Sequence, residues 1–283
     1  MRAVHRILVP VDFSPESQNA LRYALQYADQ IGAQVTVLHV VVPQVEAVDA
    51  TVMVNPAIGH LIDAARTGMQ QWVAATIAQV QAQQPASELS ACKQLVEVGM
   101  ITATINRIAD REAADLILLA TQGERRRIDR LFGTVTAGVV RTADCPTLIV
   151  PWEGKFRAAR QVLYATELKR EDLYYVWLIL KKFVAETVEF RCVHVHTSVE
   201  KTPEISPDDL REFVADLQPE LACTAFGIRS DAVTQTLQEV AESFRVDLLV
   251  MHRPQHHWLH RLAFRSNTVD MAFLTHAPLL ILR

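Results

Sequence analysis

No charge of one sign dominates this chain. Against 28 Lys and Arg stand 32 Asp and Glu, a net charge of −4 in 283 residues. So mild an imbalance gives no overall pull toward nucleic acid or an anionic membrane. Cysteine is sparse: Cys92, Cys145, Cys192 and Cys223 are scattered and form no CxxC pair. That excludes a disulfide scaffold and a zinc ribbon. No window of about 18 uncharged apolar residues exists, so no membrane span is expected. The start, Met1 to Leu8, is a short strand-like run soon followed by Asp12, and is not expected to act as a signal peptide. A reducing cytoplasm is the expected location. GxxxxGK[ST], GxSxG and HExxH are all missing, which removes the P-loop, the hydrolase elbow and the zincin motif.

What remains is a globular composition, 50% hydrophobic and 21% charged, long enough for about two domains. The chain also repeats itself. His5-Arg6-Ile7-Leu8-Val9-Pro10 is echoed by Arg160-Gln161-Val162-Leu163-Tyr164-Ala165, and Val35 to Val40 by Phe190 to Val195, both at an offset of 155. Asp115 to Leu119 is echoed by Asp247 to Met251, and Cys145 to Val150 by Ala277 to Leu282, at an offset of 132. The second copy has therefore lost 23 residues from its middle.

Each copy alternates short Val/Ile/Leu runs with helical stretches. Such runs, apolar on both faces, are the mark of a parallel sheet. Ser14-Pro15-Glu16-Ser17 is a helix start, Ala20, Leu21, Ala24, Leu25 and Ala28 supply its apolar stripe, and Gly32 ends it. Helices are also expected over 58–84, from Thr102 to Glu112 and from Thr134 to Thr142. The fold class is α/β: two tandem doubly wound, open parallel-sheet domains. The expected division is 1–152, a polar linker 153–159 carrying Gly154, and 160–283. The apolar terminal strands Thr147 to Val150 and Leu279 to Leu282 are expected to join the copies as an intrachain pseudo-dimer.

In such sheets ligands bind beyond the carboxyl ends of the strands. Three segments of the first copy reach that edge: Pro10 to Ser14, His39 to Val41, and Ala120-Thr121-Gln122-Gly123 running on to Gly133-Thr134-Val135. Gly123 and Gly133 let backbone approach a ligand, and the helix opening at Gly133-Thr134 favours an anion. Asp12 suits a ribose hydroxyl or a metal-bound water. The plainer alternative is that Gly133 starts a helix and Asp12 caps one. Arg125, Arg126 and Arg127 are either a phosphate clamp or a solvated charge run.

The segment resembles the nucleotide loop of the universal stress proteins, Gly-x2-Gly-x9-Gly-[Ser/Thr], which falls here on Ala120, Gly123, Gly133 and Thr134. Ile7 to Ser14, Leu38-His39-Val40 and Cys145 to Val150 are similar to that family too, and the resemblance spans the chain as two copies with the family's Rossmann-like, adenine-nucleotide-hydrolase-like fold. It implies that ATP or AMP, with Mg2+ for ATP, sits near Pro10, Asp12 and Val40, with Ala120, Gly123, Gly133, Thr134 and Val135 about the ribose and phosphates. It further implies a regulatory or protective role in stress, a possible homodimer, no catalytic residues and at most weak ATP hydrolysis. Ala120 departs from the pattern: its methyl crowds the ribose, or is accommodated if its φ is negative.

The second copy departs further. Asp12 aligns with Thr166 if one gap is allowed and with Glu167 if none is. The glycine loop becomes His252-Arg253-Pro254-Gln255 and, after nine more residues, Arg265-Ser266, with every glycine gone. It is not expected to bind ATP in the family's manner. His252, His256, His257 and His260 crowd together instead; on a helix three of them would share a face and suit zinc, the alternative being a loop cluster. His39 and His194, matched at a strand end, are expected to be structural hydrogen-bonders, and Cys145 buried and inert. Two other readings compete: a nucleotide-independent scaffold or interaction module, and an adenylating enzyme on a related fold.

Overall fold

Alternating apolar runs and capped amphipathic stretches become strands and helices where the sequence places them. Strand β1 (Arg6–Val11) is buried through Ile7, Leu8 and Val9. Helix α1 (Pro15–Ile31) follows. Its start is capped by the Ser14 hydroxyl, which accepts from the Ser17 amide at 3.1 Å, and Pro15 occupies the first turn. The stripe Ala20, Leu21, Ala24, Leu25 and Ala28 is buried. Gly32, at φ 70°, closes the helix with its amide on the Ala28 carbonyl.

The computed structural model describes residues 4–43, 45–48, 51–54, 58–85, 91–121, 134–152, 154–184, 188–198, 202–252 and 277–283. After α1 come β2 (Gln34–Val41), a hairpin of β3 (Val45–Val48) and β4 (Thr51–Val54), then α2 (Ile58–Gln83), β5 (Lys93–Val98), α3 (Ile101–Arg111), β6 (Leu116–Ala120), α4 (Thr134–Thr142) and β7 (Thr147–Val150). The second half runs β8 (Gln161–Ala165), α5 (Glu171–Lys182), β9 (Glu189–His196), α6 (Pro207–Leu217), β10 (Cys223–Arg229), α7 (Val233–Ser243), β11 (Leu248–His252) and β12 (Leu279–Leu282).

Two compact units result, a leading one drawn from 5–120 and 134–147 and a trailing one drawn mainly from 148–283. In the leading unit the strands lie in the order β6-β1-β2-β5, with parallel pairing throughout. Leu8, Leu38, Ile105, Ile108, Ile117 and Val139 form a core between strands and the helices α3 and α4. In the trailing unit the order is β10-β9-β8-β11-β12, again parallel, with β7 grouped beside β12. This is the doubly wound α/β class. The 23 residues missing from the second copy are explained locally. Between β2 and β5 lie a hairpin and the 26-residue α2, whereas between β9 and β10 lies only the 11-residue α6.

The duplication extends to the backbone itself. The described non-glycine residues at positive φ are Phe13 (63°), Ala113 (48°), Leu168 (53°) and Arg245 (48°). Phe13 and Leu168 are 155 apart, Ala113 and Arg245 132 apart, the two offsets of the repeat. Asp115 accepts the His5 and Arg6 amides at 2.9 and 3.0 Å, and Asp247 accepts those of Arg160 and Gln161 at 3.0 Å each. Among the described residues no helix is long and apolar enough to cross a membrane.

The two left-handed glycines of the leading unit separate backbone strain from steric clash. A Cβ on Gly32 meets nothing within 4 Å, whereas one on Gly99, at φ 153°, would lie 2.5 Å from Thr104 Oγ1. Gly32→Ala should therefore cost about 1 kcal/mol, the backbone penalty alone. Gly99→Ala should cost measurably more. Urea unfolding midpoints of the two variants check the order.

Candidate functional site

The carboxyl edge of the leading unit is organised around β1, which has β2 on one side and β6 on the other. That reversal of strand order is where an open α/β sheet offers a crevice. Asp12 follows β1 directly. Its Oδ1 accepts the Ser14 amide at 3.1 Å and the Ser14 hydroxyl at 2.5 Å, so the carboxylate is aimed before any ligand arrives. Partial burial pushes the Asp12 pKa up. The Ser14 hydroxyl and amide, joined by Ser17, outweigh it and hold the carboxyl below its ordinary value.

Phe13 reverses the chain at positive φ, and its ring stacks on His39 with centroids 4.3 Å apart. Trp72 from α2 meets Phe13 edge-on at 5.6 Å. The His39 Nδ1–H donates to the Val11 carbonyl at 2.9 Å. In the trailing unit the His194 Nδ1–H donates to the Thr166 carbonyl at 2.8 Å. Both histidines thus tie the second strand of a copy to the end of its first, the structural role expected for them. The bond also settles the alignment: Val11 corresponds to Thr166, so Asp12 corresponds to Glu167, without a gap.

Pro10 is half-buried at the end of β1. Val40, near the end of β2, and Val135, in the first turn of α4, both pack on the core cluster. Ala120 ends β6 and is half-buried, and it is not among the residues at positive φ. The strand end therefore holds an alanine without backbone strain. Thr134 begins α4. Gly123 and Gly133, with Arg125, Arg126 and Arg127, lie outside the described residues. Cys145 is half-buried, and burial, with Asp110 nearby, pushes its thiol up to about 11, which leaves it no thiolate nucleophile at neutral pH.

The trailing unit fills the corresponding edge with its own groups. Glu167 pairs with Lys169. The Leu168 carbonyl accepts the Glu204 and Ile205 amides at 2.9 and 3.1 Å, and the Glu204 carboxylate accepts the Arg170 amide at 3.2 Å. His252, at the end of β11, is 3% exposed and faces Asp172 and Glu171. His252 thus belongs to a strand and not to a helix on which its spacing to His256 and His260 would make a shared face. His256, His257 and His260 lie outside the described residues. Among the described residues no group of three or more His, Cys, Asp or Glu is arranged to hold a metal ion. The buried Asp172 and the Tyr164 that bonds it were not singled out from sequence. Their signal was there: they replace Ser17 and Val9 at the offset of 155.

A model of the universal stress protein family matches residues 3–151. A universal stress protein of Synechocystis sp. is 29% identical over 148 residues, which are 51% of this chain and 84% of that protein. The crystal structure of a universal stress protein from Archaeoglobus fulgidus superposes with a TM-score of 0.66 at 17% identity, covering 99% of this chain and 97% of that one. A functionally unknown protein from Pseudomonas aeruginosa superposes at 0.54 with 13% identity over 99% and 92% of the two chains. The last two likenesses extend the fold over both copies.

Ser14→Ala tests how Asp12 is held. Loss of the cap should cost about 1 kcal/mol, and the Asp12 pKa should rise toward the ordinary carboxylate value. Because the folded pKa is depressed, the stability contributed by Asp12 is complete above the unfolded value and is lost as pH falls through the folded one. In the variant that loss should start at higher pH. Carboxyl-carbon NMR titration of Asp12 reads the shift directly.

Proposed function

The chain belongs to the universal stress protein family, and we propose that its leading unit binds an adenine nucleotide, ATP or AMP, in a regulatory or protective role in the cytoplasm. The observation that carries this reading is the Asp12 carboxylate. It is exposed, aimed by two hydrogen bonds from Ser14, and stands at the strand-order reversal beside β6. A carboxylate so placed suits a ribose hydroxyl. The apolar Val40 suits the base, and the first turn of α4, beginning at Thr134, suits an anion by its unpaired amides and dipole. Residues Gly123 and Gly133, in the motif spacing, supply the bare backbone that phosphates require.

The residues fit Mg2+ only as a companion of the phosphates, with Asp12 the carboxylate that the described residues place at this edge. Bound Mg2+ would neutralise phosphate charge, while the chain's own part is to orient the nucleoside and satisfy its hydroxyls. In this reading the nucleotide acts as a ligand more than a substrate. It biases whichever conformation of the leading unit it binds better.

A nucleotide-independent scaffold is the second reading. Two observations favour it: Ala120 stands where the motif has glycine, and the trailing unit occupies its own edge with Glu167, Lys169 and the 202–206 segment.

Titration calorimetry of the intact chain with Mg-ATP and with AMP separates the readings. Binding is expected, weakened about tenfold or more by Asp12→Ala, the loss of a charge-assisted hydrogen bond. Gly133→Val should abolish it by placing a side chain in the motif, with circular dichroism verifying that each variant folds. No heat from the intact chain with either nucleotide leaves the scaffold.

A further inference from the structure

Three aligned positions change character together between the units. Where the leading unit has Val9, Ser17 and Ala120, the trailing unit has Tyr164, Asp172 and His252, and the fold brings these three into one cluster. Asp172, fully buried in the first turn of α5, accepts the Tyr164 hydroxyl and, at 2.7 Å, the Lys169 amide. His252 Nδ1 stands 3.6 Å from Asp172 Oδ1, and its Nε2 stands 3.7 Å from Glu171 Oε1. The imidazole lies flat on Tyr175, with centroids 4.8 Å apart and planes within 10°. Among the described residues neither ring nitrogen has a hydrogen-bond partner.

A buried polar group without a partner is the exception in folded proteins, and here both nitrogens of one ring are in that state. A neutral imidazole carries one N–H and one lone pair. With a carboxylate oxygen on each side, the lone pair always faces like charge. Only the imidazolium has a donor for both. We propose that His252 is a proton-operated latch of the trailing unit: on taking a proton from solvent it donates through Nδ1 to Asp172 and through Nε2 to Glu171, tying the end of β11 to the first turn of α5. No bond breaks in the step. One N–H forms, and each contact shortens by about 1 Å to reach the length of a charge-assisted hydrogen bond.

Other titratable groups surround the ring. From α5 come Glu171, Asp172 and Tyr175, and from β8 comes Tyr164, reached through Asp172. Burial first, and Asp172 second, hold the Tyr164 hydroxyl well above its usual range, so it remains a donor. From the turn between β8 and α5, Lys169 interacts with Glu167, Glu171 and Asp172. On β9, Cys192 adds a further interaction with Asp172 and Tyr164. The residue paired with His252 on β12 is the apolar Leu282. The carboxylates are thus adjacent to the ring, while the Lys169 ammonium interacts with those carboxylates.

The folded chain then holds a proton that the unfolded chain releases across the imidazole range. Stability from the latch is complete on the acidic side of that range and is lost as pH rises through it. Urea unfolding of the intact chain at intervals between about pH 5.5 and pH 8 reads this. The unfolding constant of the wild type should rise with pH about tenfold more than that of His252→Gln, whose amide takes up no proton. Identical pH profiles overturn the proposal. Should His252→Gln not fold, Glu171→Gln decides, because the Glu171 side chain is 42% exposed and its loss leaves the core intact. That variant should lose about threefold of the pH-dependent change, and an unchanged profile overturns the proposal. In nitrogen-15 NMR of the wild type, both ring nitrogens of His252 should be protonated at the acidic end. A ring that stays neutral across the range overturns it as well.

Discussion

A bulky side chain at positive φ occupies the turn after the first strand in both halves, Phe13 in one and Leu168 in the other. Such a residue costs of order 1–2 kcal/mol against ordinary backbone, so something must hold it. Three hydrogen bonds per copy do. A histidine from the second strand donates to the carbonyl two residues before the turn, and an aspartate just before β6 or β11 accepts the amides that open the first strand. The first strand is thereby fixed at both ends, and the helix after it must leave the sheet in one direction. The groups that follow the first strand depend on that departure: Asp12 and Ser14 in the leading unit, Glu167 and Asp172 in the trailing one.

On this common frame the two copies carry opposite chemistry. In the leading unit the helix start is capped by a serine that also grips Asp12, leaving an oriented carboxylate at an exposed rim. In the trailing unit the position of the second capping serine, Ser17, is taken by Asp172, which turns inward to bond Tyr164 and the Lys169 amide. The cap's oxygen has been exchanged for a buried charge, and a buried charge needs donors around it. Tyr164 and the imidazole of His252 stand where those donors are needed.

Much of this fold was legible because its signals are local. Ser14-Pro15, the stripe from Ala20 to Ala28, and Gly32 each carry their own physical reason, and the helix they bound is the one observed. The helices expected over 58–84 and from Thr102 to Glu112 appear as Ile58–Gln83 and Ile101–Arg111. The backbone outliers pair at the same repeat offsets, although nothing in the residue types Phe, Leu, Ala and Arg suggests positive φ. The hairpin between β2 and α2 escaped notice, since Val45 to Val54 shows no Asn-Gly or Gly-rich turn to mark it. The cluster about His252 escaped for another reason. Its members come from β8, α5 and β11, and no spacing along the chain announces that three strangers in sequence share one buried volume. The repeat offsets line up Val9, Ser17 and Ala120 against their replacements, but only the fold brings the replacements together.

That comparison turns on one small residue. At the end of β6 stands an alanine with a single methyl, and its backbone, free of positive φ, has no need of the motif's glycine. At the end of β11 the same position projects an imidazole that reaches the first turn of α5 and stacks on Tyr175. A side chain of that size brings a flat ring and two polar atoms to a helix N-terminus from within the chain. The two states of this edge are therefore mutually exclusive at the level of a single side chain. One copy keeps a small residue here, whereas the other has a histidine whose ring is packed within the chain. A duplicated chain can keep both, one in each unit.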